Sequence, residues 1–109
     1  MNNIQSVTEA ELYNILDEAQ YDRAIVHITN SQDPQGTQHY NNILSNIVDQ
    51  LEDVYIFNVE VSHRLTQRYH LKYAPALVIL EDFEVVYTTH KSLQSYDNIA
   101  QALTDLDWI

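Results

Sequence analysis

Residues 23–34 read RAIVHITNSQDP and join an apolar run, a short polar loop and a proline. The run Arg23–Thr29 is nearly continuous in apolar residues, which is typical of a strand covered on both faces. Asp33 is a residue type favoured at a helix N-cap, and proline is favoured at the first helical position. The stretch therefore predicts a buried strand that leads through a polar loop into a helix beginning at Pro34.

The predicted helix at residues 34–51 carries the strongest helical pattern of the chain. Its apolar residues recur at steps of three and four, as in a helix with one buried face: Tyr40, Ile43, Leu44, Ile47, Val48 and Leu51. Residues 54–61 are rich in β-branched and aromatic side chains and predict a second buried strand. Because a helix connects the two strands, we expect them to be parallel, with a right-handed crossover.

Two further helices are predicted on either side of this unit. At residues 8–19, Thr8 and Glu11 fit a capping box, in which each side chain caps the backbone N–H of the other residue. A shorter helix at residues 62–71 has Leu65 and Tyr69 at positions that face inward.

The last third of the chain predicts a hairpin and a helix. Pro75 cannot donate to a strand ladder, so it marks the entry to an apolar strand at residues 76–80. A short turn leads to a strand at residues 85–89, which must be antiparallel to the one before it. Ser92 or Ser95 caps the final helix.

The predicted element order is α-β-α-β-α-β-β-α. This order indicates a three-layer α/β/α fold, with a central mixed sheet of about four strands and helices on both faces. A length of 109 residues fits a single domain, residues 1–109. A chain of this size with 45% hydrophobic residues can build a core without disulfides or metals.

Charge and cysteine content exclude several classes of function. The formal net charge is −11, so nucleic acid and anionic membranes are poor partners, whereas a basic protein would be attracted. The absence of cysteine excludes disulfides and thiolate catalysis. No signal peptide pattern is present and no apolar run reaches about 18 residues, so we expect a cytoplasmic protein without a membrane segment.

Residues 58–80, NVEVSHRLTQRYHLKYAPALVIL, resemble the matching part of thioredoxins. There the family has an apolar strand ending in Asn-x-Asp, a short helix, and x-Pro before another apolar strand. In this chain the matching residues are Asn58, Glu60, Tyr69 and Pro75, and the resemblance extends over about residues 8–106. It implies the thioredoxin fold, with a cis peptide at Ala74–Pro75 beside the active-site loop of the family.

In the register of this resemblance, Gln32, Asp33, Pro34 and Gln35 stand where thioredoxins carry Cys-Gly-Pro-Cys. Val26 stands where they carry a buried acid. Disulfide exchange needs an attacking thiolate and a second, resolving thiol, and glutamine supplies neither. The resemblance therefore implies the fold without thiol–disulfide oxidoreductase activity. We predict no catalytic residue and no cofactor.

Tyr73, Ala74 and Pro75 are expected to form a shallow groove together with Gln32, Gln35 and Tyr69, and Tyr40 is a further candidate for its lining. In thioredoxins this groove receives an extended peptide along the proline loop. Tyrosine suits such contacts because its ring buries area while its hydroxyl remains hydrogen-bonded. The resemblance therefore implies a redox-inactive binding or accessory module whose partner is another protein or an extended peptide.

Two alternatives remain open from the sequence. The first is an enzyme with non-thiol chemistry that uses Asp33, His39 or Tyr73 in the same groove. The second is a self-associating structural subunit, such as a homodimer, with Tyr73, Phe83 and residues 85–89 at the interface.

A metal site is not predicted. The chain has 5 histidines, and His63 and His70 lie seven positions apart on the short helix. Zinc requires three or four ligands, and no close set of histidine with Asp or Glu stands out.

Overall fold

The structure is a computed structural model that describes residues 4–18, 22–82, 84–89 and 92–109. The strands and helices alternate along most of the chain, and a 3₁₀ turn at Val48–Gln50 extends the second helix. In chain order they are β1 (Ile4–Ser6), α1 (Glu9–Glu18), β2 (Arg23–Thr29), α2 (Pro34–Ile47), β3 (Tyr55–Glu60), α3 (His63–Arg68), β4 (Ala76–Glu81), β5 (Glu84–Thr88) and α4 (Tyr96–Asp105).

The strands form one mixed sheet in the order β1-β3-β2-β4-β5. β2 and β3 are parallel, with Val26 opposite Phe57, and β4 and β5 are antiparallel. Both arrangements confirm the predictions. β4 also runs antiparallel to β2, and β1 is parallel to β3.

The sheet has five strands in the described residues, one more than the predicted number of about four. The additional strand is β1, which is only three residues long and contains two exposed side chains. A segment this short and this polar has no alternation of apolar residues that could predict a strand.

Two apolar clusters cover the two faces of the sheet, as a three-layer fold requires. One cluster packs α2 and α4 against the sheet, with Tyr40 and Leu103 fully buried. The other packs α1 and α3 against the opposite face, with Leu12 and Leu65 fully buried. The aromatic side chain of Trp108 closes the first cluster and is 3% exposed.

Local hydrogen bonds set the ends of the helices. The capping box is confirmed, because Glu11 N donates to Thr8 Oγ1 and Thr8 N donates to Glu11 Oε1. Ser95 caps α4 by accepting from Asn98 N, so the alternative cap Ser92 is not used.

Two helices are shorter than predicted. The second helix was expected to reach residue 51, but α2 ends at Ile47, where the chain tightens into the 3₁₀ turn. The third was expected to reach residue 71, but α3 ends at Arg68. His70 adopts a φ of 54°, a left-handed conformation that cannot continue a right-handed helix.

Candidate functional site

The first turn of α2 lies at the carboxyl end of β2 and begins with a side-chain cap. Asp33 Oδ1 accepts a hydrogen bond from Gly36 N at 3.1 Å, and Pro34 occupies the first helical turn. The N-cap and the helix start predicted from residues 33 and 34 are thus confirmed. The cap uses one of the two carboxylate oxygens of Asp33.

The loop before α2 is held to the segment before β4 by two side chains. Asn30 Nδ2 donates to Ala74 O at 3.0 Å, and Tyr73 Oη donates to Asp33 Oδ2 at 3.3 Å. The peptide bond Ala74–Pro75 is cis. The structure therefore brings the Gln32–Gln35 segment and the Tyr73–Pro75 segment together. We call this region (residues 32–35 and 73–75), where a groove is expected from the sequence, the proline-loop groove.

Gly36 lies at the closest approach between α2 and the proline loop. A Cβ atom at this position would lie 2.5 Å from Asp33 Oδ2 and 3.0 Å from Pro75 Cγ. Only glycine leaves room for both the N-cap and Pro75. This close packing was missed from the sequence, because Pro75 is distant from Gly36 along the chain.

The side chains of the proline-loop groove differ in their environment. Gln32, Pro34 and Gln35 are exposed, Asp33 and Tyr73 are half-buried, and Pro75 is buried. Tyr40 and Tyr69, which were expected at the groove, are instead buried in the two apolar clusters, because their rings pack against the sheet. Burial, followed by the negative charge of Asp33, raises the pKa of Tyr73 above its ordinary value. At neutral pH the Tyr73 hydroxyl is therefore protonated and can donate to Asp33.

Val26, which the resemblance matches to a buried acid of thioredoxins, is fully buried among apolar residues. A carboxylate at this depth would need compensation for its lost hydration. A chain without thiols has no proton transfer that would require such a group.

His27 is a buried polar residue that the sequence analysis did not identify. Its Nδ1 donates to Asn58 Oδ1 at 3.0 Å, and its ring packs edge-on against Tyr40. Burial lowers the pKa of His27 to about 4, although the amides of Asn58 and Asn41 favour the charged form. His27 is therefore neutral at pH 7. A histidine inside an otherwise apolar strand was the available signal.

His39, proposed as a catalytic alternative, connects α2 to the segment that precedes α4. Its Nε2 donates to Gln94 O at 2.7 Å, and its ring lies against Tyr40. Among the described residues, no group of three or more His, Cys, Asp or Glu side chains could hold a metal ion. Phe83, named as part of a self-association surface, lies outside the described residues, whereas Val85 and Val86 on β5 are exposed.

Comparisons with known proteins locate this architecture among thioredoxins. Thioredoxin O2 from Arabidopsis thaliana in its oxidized state aligns with a TM-score of 0.79 and 11% identity, over 94% of this chain and 93% of that chain. Reduced thioredoxin pre-protein from Schistosoma mansoni aligns with a TM-score of 0.77 and 10% identity, over 98% and 99% of the two chains. A complex of ferredoxin:thioredoxin reductase and thioredoxin f2 contains a chain that aligns with a TM-score of 0.78 and 12% identity, over 95% and 94% of the two chains.

No protein-family model and no curated protein matches the sequence. The structural similarity nevertheless shows that the chain has the thioredoxin fold. This confirms, at the level of structure, the resemblance drawn from residues 58–80. It is a thioredoxin-fold protein without cysteine, in which the Cys-x-x-Cys motif is replaced by Gln32-Asp33-Pro34-Gln35. In the part of the chain that the structure describes, no helix is long and apolar enough to cross a bilayer.

Proposed function

We propose that this protein is a non-catalytic module that binds an extended segment of a partner protein in the proline-loop groove. The observation that carries the proposal is the bonding of the two groove walls to each other, through Tyr73 to Asp33 and Asn30 to Ala74. These bonds fix the walls, while Gln32 and Gln35 remain exposed at the groove and can contact a partner. A preorganised surface binds with a smaller loss of conformational entropy.

The chemistry of the groove favours binding over catalysis. The chain has no thiol, so it has neither an attacking nor a resolving group for disulfide exchange. The carboxylate of Asp33 caps α2 and accepts from Tyr73, which gives it a structural role, and His39 donates to a backbone carbonyl. The side chains named for the alternative of non-thiol catalysis thus have structural partners, and no observation favours that alternative.

A protein partner also agrees with the structural comparisons. The thioredoxin f2 structure similar to this chain is a complex with ferredoxin:thioredoxin reductase. That complex concerns thioredoxin f2 only, but it illustrates that a domain of this fold and size can bind a protein. We infer the same general mode of action here, without the redox step.

The proposal is tested by comparing the wild type with two tyrosine variants in quantitative affinity capture from native lysate. Tyr73→Ala removes a side chain of the proline-loop groove. Tyr55→Ala removes a tyrosine that is 45% exposed at the amino end of β3, whereas the groove lies near the carboxyl ends of the parallel strands. We expect the wild type and Tyr55→Ala to retain the same protein and Tyr73→Ala to lose it. Equal capture by all three, or reduction of insulin disulfides above the buffer rate, would contradict the proposal.

A further inference from the structure

A second depression lies on the other side of Pro34 from the proline-loop groove. It occupies about 480 Å³ at the carboxyl ends of β1, β3 and β2, beside the first turns of α2. The strand order puts β3 and β1 on one side of β2 and β4 on the other, so this depression is separated from Pro75. We call it the β1–α2 depression. Its lining includes Ser6, Ser31, Pro34, Asn41, Asn58 and Glu60.

The β1–α2 depression is lined mainly by polar side chains, of which the carboxylate of Glu60 is the one that can only accept hydrogen bonds. Asn41 and Asn58 contribute amides, Ser6 contributes a hydroxyl, and Glu60 contributes the one carboxylate of the described lining. Amide and hydroxyl oxygens can accept, and a carboxylate can only accept. A ligand rich in N–H donors would therefore find several partners here.

The carboxylate of Glu60 is held in position and remains charged. Glu60 Oε1 accepts from Thr29 Oγ1, and Glu60 Oε2 accepts from Ser31 N, both at 3.0 Å. The backbone N–H of Ser31 is the main cause of the lowered pKa of Glu60. The side chain of Ser31 also bonds to this carboxylate. Because the two oxygens offer about four acceptor positions together, a position remains for a ligand.

No basic side chain of the surrounding elements neutralises this carboxylate. Residues 24–63, which build β2, α2 and β3, contain neither lysine nor arginine. Arg23 lies at the far end of β2, where it pairs with Glu81 at 3.8 Å. With a net charge of −11, the chain attracts cations and repels anions over long range.

We infer that the β1–α2 depression receives a cationic side chain, lysine or arginine, of the partner protein. The inference rests on the proposed function, since the same partner would occupy the proline-loop groove on the other side of Pro34. Arginine suits the site better than lysine, because its planar guanidinium presents five N–H donors to several acceptors at once. A cation site in the β1–α2 depression narrows the class of partner proteins to those with a basic residue next to the segment bound in the proline-loop groove.

The test uses N-acetyl-L-arginine amide as the probe and N-acetyl-L-citrulline amide as its neutral analogue of nearly the same shape. Titration followed by ¹H–¹⁵N NMR should give saturable shifts for arginine at the backbone of Ser31 and the side-chain amides of Asn41 and Asn58. Citrulline should give little or no shift. Equal shifts from the two probes would overturn the inference, because the depression would then select for shape and polarity and not for charge.

Matched variants assign the binding to Glu60. Glu60→Gln should weaken arginine binding about fivefold, whereas Glu84→Gln, the same change on β5 at the other edge of the sheet, should leave it unchanged. Ser6→Lys, which adds an ammonium at the rim without touching the bonds of Glu60, should weaken it as well. Equal loss in Glu84→Gln would reduce the effect to net charge and overturn the inference.

Failure of this inference is distinguishable from failure of the proposed function. Tyr73→Ala should bind N-acetyl-L-arginine amide as the wild type does, because Tyr73 does not line the β1–α2 depression. Loss of capture in Tyr73→Ala with no arginine binding in the wild type would support the groove and reject the cation site.

Discussion

His27 is a single side chain whose charge state is coupled to folding. It is fully buried on β2, and its Nε2 has no hydrogen-bond partner in the described structure. An imidazole in this position resists protonation, because the charged form would lose its hydration. The residue therefore acts as a neutral core group at pH 7 and opposes folding in acid.

The free energy of unfolding should rise as the pH increases from about 4 to about 6.5. In this range the unfolded chain protonates residue 27, whereas the folded chain does not, since its pKa is lowered from 6.5 to about 4. The full effect corresponds to about 3 kcal/mol. Urea unfolding of the wild type at about pH 4.5 and about pH 7 measures it.

Two variants separate His27 from the other titrating groups. His27→Phe should flatten the pH dependence in this range, whereas His63→Asn, at an exposed position on α3, should retain it. The lowered pKa values of Glu11 and Glu60 also remove stability as the pH falls, but both residues are present in all three proteins. A His27→Phe variant with the slope of the wild type would refute the role of residue 27.

The structural roles of some residues could be predicted from the local sequence, whereas those of others could not. The pair of Thr8 and Glu11 was predictable because a capping box is a contact between neighbours in the chain. The burial of His27 depends on Tyr40 and Asn58, which come from other elements. The need for glycine at position 36 depends likewise on Pro75, which is distant in sequence.

At the scale of elements, the loop between β2 and α2 is organised by Asn30. Its side chain donates to Ala74 O and accepts from Gln32 N, and its backbone N–H donates to Thr37 Oγ1. Thr37 Oγ1 in turn donates to Asn30 O. One residue thus joins the loop, the first turn of α2 and the segment before β4.

Asn30→Ala should therefore destabilise the fold by about 1–3 kcal/mol, because it leaves the part-buried Ala74 O without its side-chain donor. It should also increase amide hydrogen exchange at residue 32, whose N–H loses the acceptor Asn30 Oδ1. Asn46→Ala, at an exposed position on α2, is the matched control and should remain within about 0.5 kcal/mol of the wild type. Equal stability of the two variants would show that the side-chain hydrogen bonds of Asn30 do not contribute to the free energy of unfolding.

The sequence predicted the type of the elements better than their ends. The apolar runs of β2 and β4 and the periodic stripe of α2 identified these elements, because burial imposes a pattern on many residues at once. β1 was missed since three residues are too few for a pattern. The end of α3 was misplaced since it depends on the left-handed backbone of His70.

For the whole molecule, the thioredoxin fold is retained with different chemistry at its usual reactive position. Identities of 10–12% to the thioredoxins compared here accompany TM-scores of 0.77–0.79. The three-layer architecture was predictable because apolar patterns occur along the whole chain. The thioredoxin fold was predictable through the resemblance that includes Pro75. The proposal of a binding groove came only from the resemblance, since glutamine and tyrosine side chains alone do not specify a ligand.

The β1–α2 depression could not be predicted from the sequence at all. Its lining combines Ser6, Asn41, Asn58 and Glu60 from three different elements, β1, α2 and β3, which no local motif connects. The absence of lysine and arginine from residues 24–63 was visible in the sequence. Its consequence for one position on the surface emerges only once the strands are placed in order.

The most direct test of binding in the proline-loop groove is site-specific photo-crosslinking. A photoreactive phenylalanine derivative replaces Gln35, at the groove, or Asn46, which is exposed near the other end of the same helix. We predict a cross-link to the partner protein from position 35 and none from position 46. A partner cross-linked from position 46 but not from position 35 would contradict binding in the groove.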